Sequence, residues 1–273
     1  MLGWFSSMLM MTAAGREATA DIPVNMLMFF RSAIGMAILL PIAMWKGFSS
    51  LKTNQLPRHV VRNSFHFGAQ FSWFYALTLI PLAQLVSIEF TMQIWTAIIA
   101  VFYLGDKITK NKIIAIIVGF IGILVIVRPG FTAVEPGQLF ALLSAVGFAF
   151  SVVMTKQLLK KDTAFTTLFY MVGTQLVFVS VIAMFYWQLP TSTATWPWLI
   201  AVGIAALTAH YCLARALQLS DASTITQIDF ARVPLVAILG WWLYQEGVDI
   251  FLIVGAGLIL FGNLINLRGN NKK

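Results

Sequence analysis

Residues 76–128 read ALTLIPLAQLVSIEFTMQIWTAIIAVFYLGDKITKNKIIAIIVGFIGILVIVR, and residues 216–268 read ALQLSDASTITQIDFARVPLVAILGWWLYQEGVDIFLIVGAGLILFGNLINLR. Laid on one another at a separation of 140, without a gap, the two stretches agree at 11 of 53 positions. Apolar composition alone supplies some of those matches. The polar coincidences carry more weight: Glu89 falls on Asp229, Asp106 on Glu246 and Arg128 on Arg268. Each stretch holds two long apolar runs, parted by Gly105-Asp106-Lys107 in the first and Gln245-Glu246-Gly247 in the second. A fixed-period self-match of this kind marks a duplicated structural unit.

Working outward, the rest of the chain has the same character. Of 273 residues, 59% are hydrophobic and 10% charged, and the mean hydropathy is +0.85, far from the composition of a soluble globular domain. A spanning helix needs roughly 20 mostly apolar residues. Such segments are predicted near residues 26–45, 60–79, 82–104 and 108–127, and again near 138–157, 164–187, 196–217, 222–244 and 248–267. A first, shorter helix is expected over 1–15, reaching only about 22 Å at 1.5 Å per residue against a hydrocarbon core of roughly 30 Å. Either that helix sits unusually or the start is truncated, and no basic leader marks it as a cleaved signal. Short breaks such as Ile80-Pro81, Arg128-Pro129-Gly130 and Lys160-Lys161-Asp162 separate the spans. The expectation is an all-α integral membrane protein of ten transmembrane helices, built as two five-helix repeats over 1–130 and 135–268. Because five is odd, the second copy enters the membrane inverted, the arrangement typical of secondary transporters.

The net charge of +8 does not point to nucleic acid, because the basic residues sit mostly in short connections. Counting spans one to ten, the even-numbered connections and the C-terminus carry Lys46, Lys52, Arg58, Arg62, Lys107, Lys110, Lys112, Lys156, Lys160, Lys161, Arg215, Arg268, Lys272 and Lys273, while the other side has Arg16 and Arg128. That asymmetry places both termini in the cytoplasm, with the inner membrane as the expected location. Trp45, Trp187, Trp196, Trp198, Trp241 and Trp242 fall near span ends, as an interfacial aromatic belt requires. Cys212 is the single cysteine, which excludes an intrachain disulfide or a multi-cysteine zinc site.

Ala76-Leu77, Gly105-Asp106-Lys107 and Val127-Arg128-Pro129-Gly130 in the first half, with Ala216-Leu217, Asp229-Phe230-Ala231-Arg232-Val233-Pro234, Gly240-Trp241-Trp242 and Gln245-Glu246-Gly247 in the second, resemble EamA-type proteins of the drug/metabolite transporter superfamily. The resemblance covers nearly the whole chain and is weakest over the first helix. It implies a ten-helix bundle with a central cavity, peripheral fifth and tenth helices, and alternating access without ATP hydrolysis. It implies no particular substrate. Relatives often carry proline near Thr91-Met92-Gln93, where this chain has Gln93 and adds the carboxylate Glu89.

An ionisable side chain at the centre of a span costs about 2.5–3.5 kcal/mol on insertion scales and needs a partner or a cavity. Arg31, Glu89, His210, Asp229 and Arg232 are such groups. Asp229 and Arg232 share a helix face at i, i+3, and Pro234 kinks that helix because it cannot donate to the carbonyl of Phe230. The pair either lines a substrate cavity or braces the helix. Glu89, with Gln93 one turn on, has no cation on its own helix, so it takes a partner from across the bundle, Arg31 or Arg232, or carries a proton in coupled transport. Arg31 either contacts substrate, or snorkels or packs within the bundle. His210 and Tyr211 offer a proton switch or a structural hydrogen bond, whereas Asn63 and His66 are expected to meet headgroups or loops. Trp73, Tyr75 and Trp95 either stack on a planar or cationic substrate or pack the bundle. Gly119, Gly122, Gly255, Gly257 and Gly262 suggest close packing of the fifth and tenth spans.

The function these features point to is a secondary transporter for a small organic metabolite resembling an amino acid, a nucleoside or S-adenosylmethionine. Proton coupling and a homodimer stay open, and no cofactor or metal is expected. The alternatives are a non-transporting receptor or assembly subunit, and an intramembrane enzyme. For the last there is no phosphate-binding glycine loop, no His-Glu-x-x-His and no clustered aspartates.

Overall fold

The computed structural model describes residues 2–104, 110–128, 133–219 and 232–270, and these contain helices and no β-strand. The helices are α1 (Leu2–Thr19), α2 (Val24–Lys46), α3 (Leu56–Leu79), α4 (Leu82–Glu89), α5 (Met92–Leu104), α6 (Lys110–Val127), α7 (Pro136–Leu158), α8 (Ala164–Phe185), α9 (Thr195–Leu219), α10 (Arg232–Tyr244) and α11 (Ile250–Asn270), with a 3-10 turn at Phe48–Leu51. Val24–Lys46, Leu82–Tyr103, Pro136–Leu158, Ala164–Phe185 and Thr195–Ala216 are long and apolar enough to cross a membrane, and Ile113–Val127, Arg232–Tyr244 and Ile250–Ile265 are shorter apolar helices. The residues 222–231 expected to open the ninth span, together with 105–107 and 129–130, lie outside the described residues.

Helix bounds recur at the separation of 140 found in the sequence. Shifted by 140 residues, α5 falls on Arg232–Tyr244, α2 covers the range of Ala164–Phe185 and α3 that of Thr195–Leu219 to within one residue at each end. Three expected elements differ from what is observed. Helix α1 has 18 residues, about 27 Å long at the standard rise. Arg16 and Glu17 do not end it: the hydroxyls of Thr12 and Thr19 donate to the carbonyls of Met8 and Gly15, both at 2.8 Å, and so bring polar residues into the helix. Helix α3 begins four residues before the expected 60, and its first half carries Arg58, His59, Arg62, Asn63 and His66, too polar to rank among the strongly apolar spans. The fourth span is broken at Phe90-Thr91 into α4 and α5.

The chain forms two compact units, each drawing on both halves of the sequence: 1–67 with 154–220, and 68–153 with 221–273. In the first, α1 packs on α9, and α2 packs on both α8 and α9. Leu39, Leu168, Met171 and Val172 form its α2–α8 core. The absence of a side chain at Gly35 admits Val172 and Leu207, since a Cβ there would stand 3.2 and 3.5 Å from them. The turn after α1 is tied down by Asp21, whose carboxylate accepts from the backbone N–H of Thr191 and Ser192 and from the hydroxyl of Thr195 at 2.6 Å.

In the second unit α6 runs along α11, and α4 packs on α10 and α11. The α6–α11 contact is close enough that a Cβ on Gly122 would lie 2.8 Å from the carbonyl oxygen of Gly255, and one on Gly262 would lie 2.9 Å from that of Ala115. Residues 115 and 122 shifted by 140 are 255 and 262, so the two contacts are reciprocal. Gly257 takes no part, having nothing within 4 Å. Ile99, Ala149 and Val153 form a further core, with Met92, Trp95 and Phe150 against it.

Candidate functional site

The helix break positions the chemistry of the second unit. Ile88 accepts from the backbone N–H of Thr91 at 3.0 Å, and Thr91 from that of Ile94 at 2.9 Å, so the chain passes through tighter i→i+3 turns at the junction. The Thr91 hydroxyl also donates to the Ile88 carbonyl at 2.7 Å. Asn263 of α11 donates its amide to the Phe90 carbonyl at 3.1 Å, satisfying a group that the irregular backbone exposes.

Glu89, the last residue of α4, meets Arg232, the first of α10. Its two carboxylate oxygens accept from the guanidinium at 2.8 and 3.2 Å, and the indole N–H of Trp73 donates to Oε2 at 2.8 Å. Arg232 also lies over the Phe90 ring, 5.1 Å from its centroid. Both ionic side chains are buried, with exposures of 3% for Arg232 and 7% for Glu89. Forked, charge-assisted bonds of this kind are the strong class of hydrogen bond, and they let two charges share an interior that neither could occupy alone. Arg232, not Arg31, is therefore the cation that faces Glu89.

The other expected residues of this unit part company with that pair to different degrees. Gln93 is half-buried in the first turn of α5. Trp73 is fully committed as a donor and packs edge-on to Phe74, so it is no open stacking platform. Trp95 packs edge-on to Phe120 at 5.3 Å, and its indole nitrogen has no hydrogen-bond partner among the described residues. Tyr75 is 41% exposed and lies against Phe71 and Phe140. Pro234 stands in the first turn of α10 as described, where proline is tolerated. Asp229, and the kink expected ahead of Pro234, lie outside the described residues. Glu246, read from sequence as a loop residue, instead reaches α4 and accepts from the backbone N–H of Leu82 at 2.7 Å, an anionic cap on that helix N-terminus.

Unit one contains a second polar interior. Arg31 does not snorkel: it is 3% exposed and donates to Gln175 of α8 at 2.9 Å. His210 of α9 meets the ring of His66 edge-to-face at 5.0 Å. Neither Asn63 nor His66 faces headgroups, for both are buried, and Asn63 donates to the Tyr170 carbonyl and the Thr174 hydroxyl at 3.0 and 3.1 Å. Arg62, counted above as a loop charge, is buried and donates to Thr155 at 2.8 Å. Tyr211 points away from this interior and is 46% exposed. Where α3 begins, Asp162 accepts from Thr53 and Gln55 at 2.8 and 3.0 Å and lies 2.9 Å from His59, beside a cleft of about 870 Å³ lined by Lys52, Arg58 and Lys161. Gln175, Arg62 and Asn263 were not singled out from sequence. For Gln175 and Asn263 the available signal was a polar amide inside an apolar helix; Arg62 lay in a polar stretch that gave none.

Comparison with known proteins places this geometry in a family. The model of the EamA-like transporter family matches residues 3–128 and again residues 135–268. An S-adenosylmethionine uptake transporter of Rickettsia prowazekii is 28% identical over 89% of this chain and 83% of its own length. A riboflavin transporter of Brucella anthropi is 28% identical over 90% and 89%, and a pseudopaline exporter of Pseudomonas aeruginosa is 26% identical over 92% and 88%. A solved crystal structure shares the fold with a TM-score of 0.66 at 19% identity, covering 97% of this chain and 94% of that one. With one family model matched twice along nearly its whole length, and with relatives that are transporters and not enzymes, this multi-pass membrane protein belongs to the EamA-like transporter family.

Proposed function

We propose that the chain is a secondary transporter that moves a small organic metabolite across the inner membrane by alternating access. In this reading ten spans form two inverted repeats over 1–130 and 135–268, and both termini are cytoplasmic. The recurrence of helix bounds at 140 residues and the reciprocal Gly122–Gly255 and Gly262–Ala115 contacts support the duplication.

The observation that carries the transport reading is the buried Arg232–Glu89 pair at the α4–α5 break. Transporters of inverted-repeat design bind substrate where helices are discontinuous, because the freed backbone and charged side chains there can exchange partners with a ligand. A forked ion pair is suited to such exchange: a zwitterionic substrate supplies a carboxylate to Arg232 and a cation to Glu89, so both charges stay compensated when the pair opens. Trp73 then holds the carboxylate in place from the other side. The relatives act on S-adenosylmethionine, riboflavin and pseudopaline. For this chain the substrate class is amino-acid-, nucleoside- or S-adenosylmethionine-like.

The test is reconstitution of the purified protein in liposomes and counterflow with labelled S-adenosylmethionine, amino acids and riboflavin, with Arg232→Ala and Glu89→Gln beside the wild type. Both variants are expected to lose most uptake. Uptake in both equal to wild type would remove Glu89 and Arg232 from the substrate path. An imposed pH gradient that leaves wild-type uptake unchanged would remove proton coupling.

A further inference from the structure

Among the described residues, the first unit buries the guanidiniums of Arg31 and Arg62 with no carboxylate paired to either. Arg31 of α2 and Arg62 and His66 of α3 are all buried, and His210 of α9 faces His66. Arg62 and His66 lie four residues apart on one face of α3, His66 meets His210, and α2, which carries Arg31, packs on α9, which carries His210, so the four groups belong to one interior. The guanidiniums donate only to neutral acceptors: Arg31 to Gln175, and Arg62 to Thr155 and Asn63. Asp162 is engaged by His59, Thr53 and Gln55, and Asp21 by the 191–195 segment. The contrast with the second unit is direct, since Arg232 there has Glu89.

Arginine remains protonated in proteins, and a buried cation without a counter-ion carries an uncompensated desolvation penalty. Intramembrane charges of this kind mark functional sites. Two nitrogens at the cluster are open: Arg31 Nε, a donor, and His210 Nε2, which donates in one tautomer, are buried with no hydrogen-bond partner among the described residues. A guanidinium fork matches the planar oxygens of a carboxylate or the oxygens of a phosphate. We propose that Arg31, Arg62, His66 and His210 form an oxyanion subsite that receives a carboxylate or phosphate of the transported metabolite at a stage of the transport cycle separate from its exchange with the Arg232–Glu89 pair. The assignment rests on the transporter reading above for the identity of the occupant, and it narrows the substrate to molecules bearing such a group.

The experiment measures the thermal unfolding midpoint of the full-length protein in neutral phosphatidylcholine nanodiscs, titrated with acetate or inorganic phosphate against chloride at matched ionic strength. The wild type is expected to show a saturable rise with an oxyanion and none with chloride, as ligand linkage requires. Arg31→Gln and Arg62→Gln are expected to weaken the apparent oxyanion affinity at least tenfold, while Arg31→Lys and Arg62→Lys retain part of it. Without added oxyanion, Arg31→Gln should melt no lower than wild type, because it removes an uncompensated charge; a purely structural arginine would give a large fall. No preference for oxyanion over chloride in the wild type, or an unchanged response in both Gln variants, would overturn the subsite. If phosphatidylglycerol in the nanodisc abolishes the response to added anion, a lipid headgroup is the occupant and the metabolite assignment fails. The readout needs no transport, so a counterflow failure for every metabolite would count against the transporter reading alone.

Discussion

Breaking the Glu89–Arg232 pair from one side should cost far more than removing it altogether. At an effective dielectric of about 20, unit charges 2.8 Å apart attract by about 6 kcal/mol. Burial costs several kcal/mol for each ion, so the intact pair adds little net stability. With one partner gone the penalty remains without the attraction. Glu89→Gln keeps an acceptor for the Trp73 indole but takes the anionic partner from the Arg232 guanidinium. Arg232→Met leaves a carboxylate held by the Trp73 donor alone among these groups. Each single change is expected to destabilise by about 3–5 kcal/mol, and the double variant Glu89→Gln/Arg232→Met by about 1 kcal/mol or less. The coupling energy is then at least about 5 kcal/mol, roughly a 5,000-fold effect on the unfolding equilibrium. Equilibrium unfolding by dodecyl sulfate titration in mild detergent, followed by far-ultraviolet circular dichroism, measures all four proteins. If the single variants each lose less than about 1 kcal/mol, or the double variant equals their sum, the two groups do not depend on each other as described.

The α6–α11 seam offers a paired test. Gly122→Ala and Gly262→Ala push a methyl against a backbone carbonyl and should each cost about 1–3 kcal/mol, while Gly257→Ala, with open space around it, should leave the melting midpoint at or above wild type. Glu246→Ala removes the cap on Leu82 and should cost about 0.5–2 kcal/mol, read in the same unfolding assay. Hydrogen bonds from Thr191 and Thr195 lower the Asp21 carboxyl to about 2 from its ordinary 3.8. A depressed carboxylate contributes stability above its unfolded value that is lost as pH falls toward its folded one, so the gap in melting midpoint between wild type and Asp21→Asn should be present at pH 6 and shrink between pH 4 and pH 2.

Much of the helical layout was legible because lipid solvation writes itself into composition. Runs of apolar residues broken by Gly, Pro and charge gave bounds for α2, α7, α8 and α9 within a few residues of those observed. The errors have local causes. The first helix was expected over 1–15 but carries Arg16 and Glu17 inside it, with the Thr19 hydroxyl donating to the Gly15 carbonyl of the preceding turn. The break at Phe90-Thr91 was invisible because neither residue is a helix breaker. It depends on Thr91 and Asn263 taking up backbone carbonyls, and Asn263 is 173 residues from Phe90.

The functional residues divide along the same line. That Arg31, Glu89, His210 and Arg232 are expensive in an apolar segment, and so worth explaining, follows from residue type and context alone. The partner of each does not. Whether Glu89 faces Arg31 or Arg232 is decided by α4 packing on α10, and whether Arg62 is a loop charge or a buried one is decided by the side of α3 that meets α7. Sequence by itself determined the self-match at 140 residues, the helical class and the set of costly side chains, because these depend on local pattern and solvent. Only the tertiary structure decided that, among the described residues, buried Arg232 has a carboxylate partner while buried Arg31 and Arg62 do not, because charge compensation depends on distances across helices that no spacing along the chain encodes.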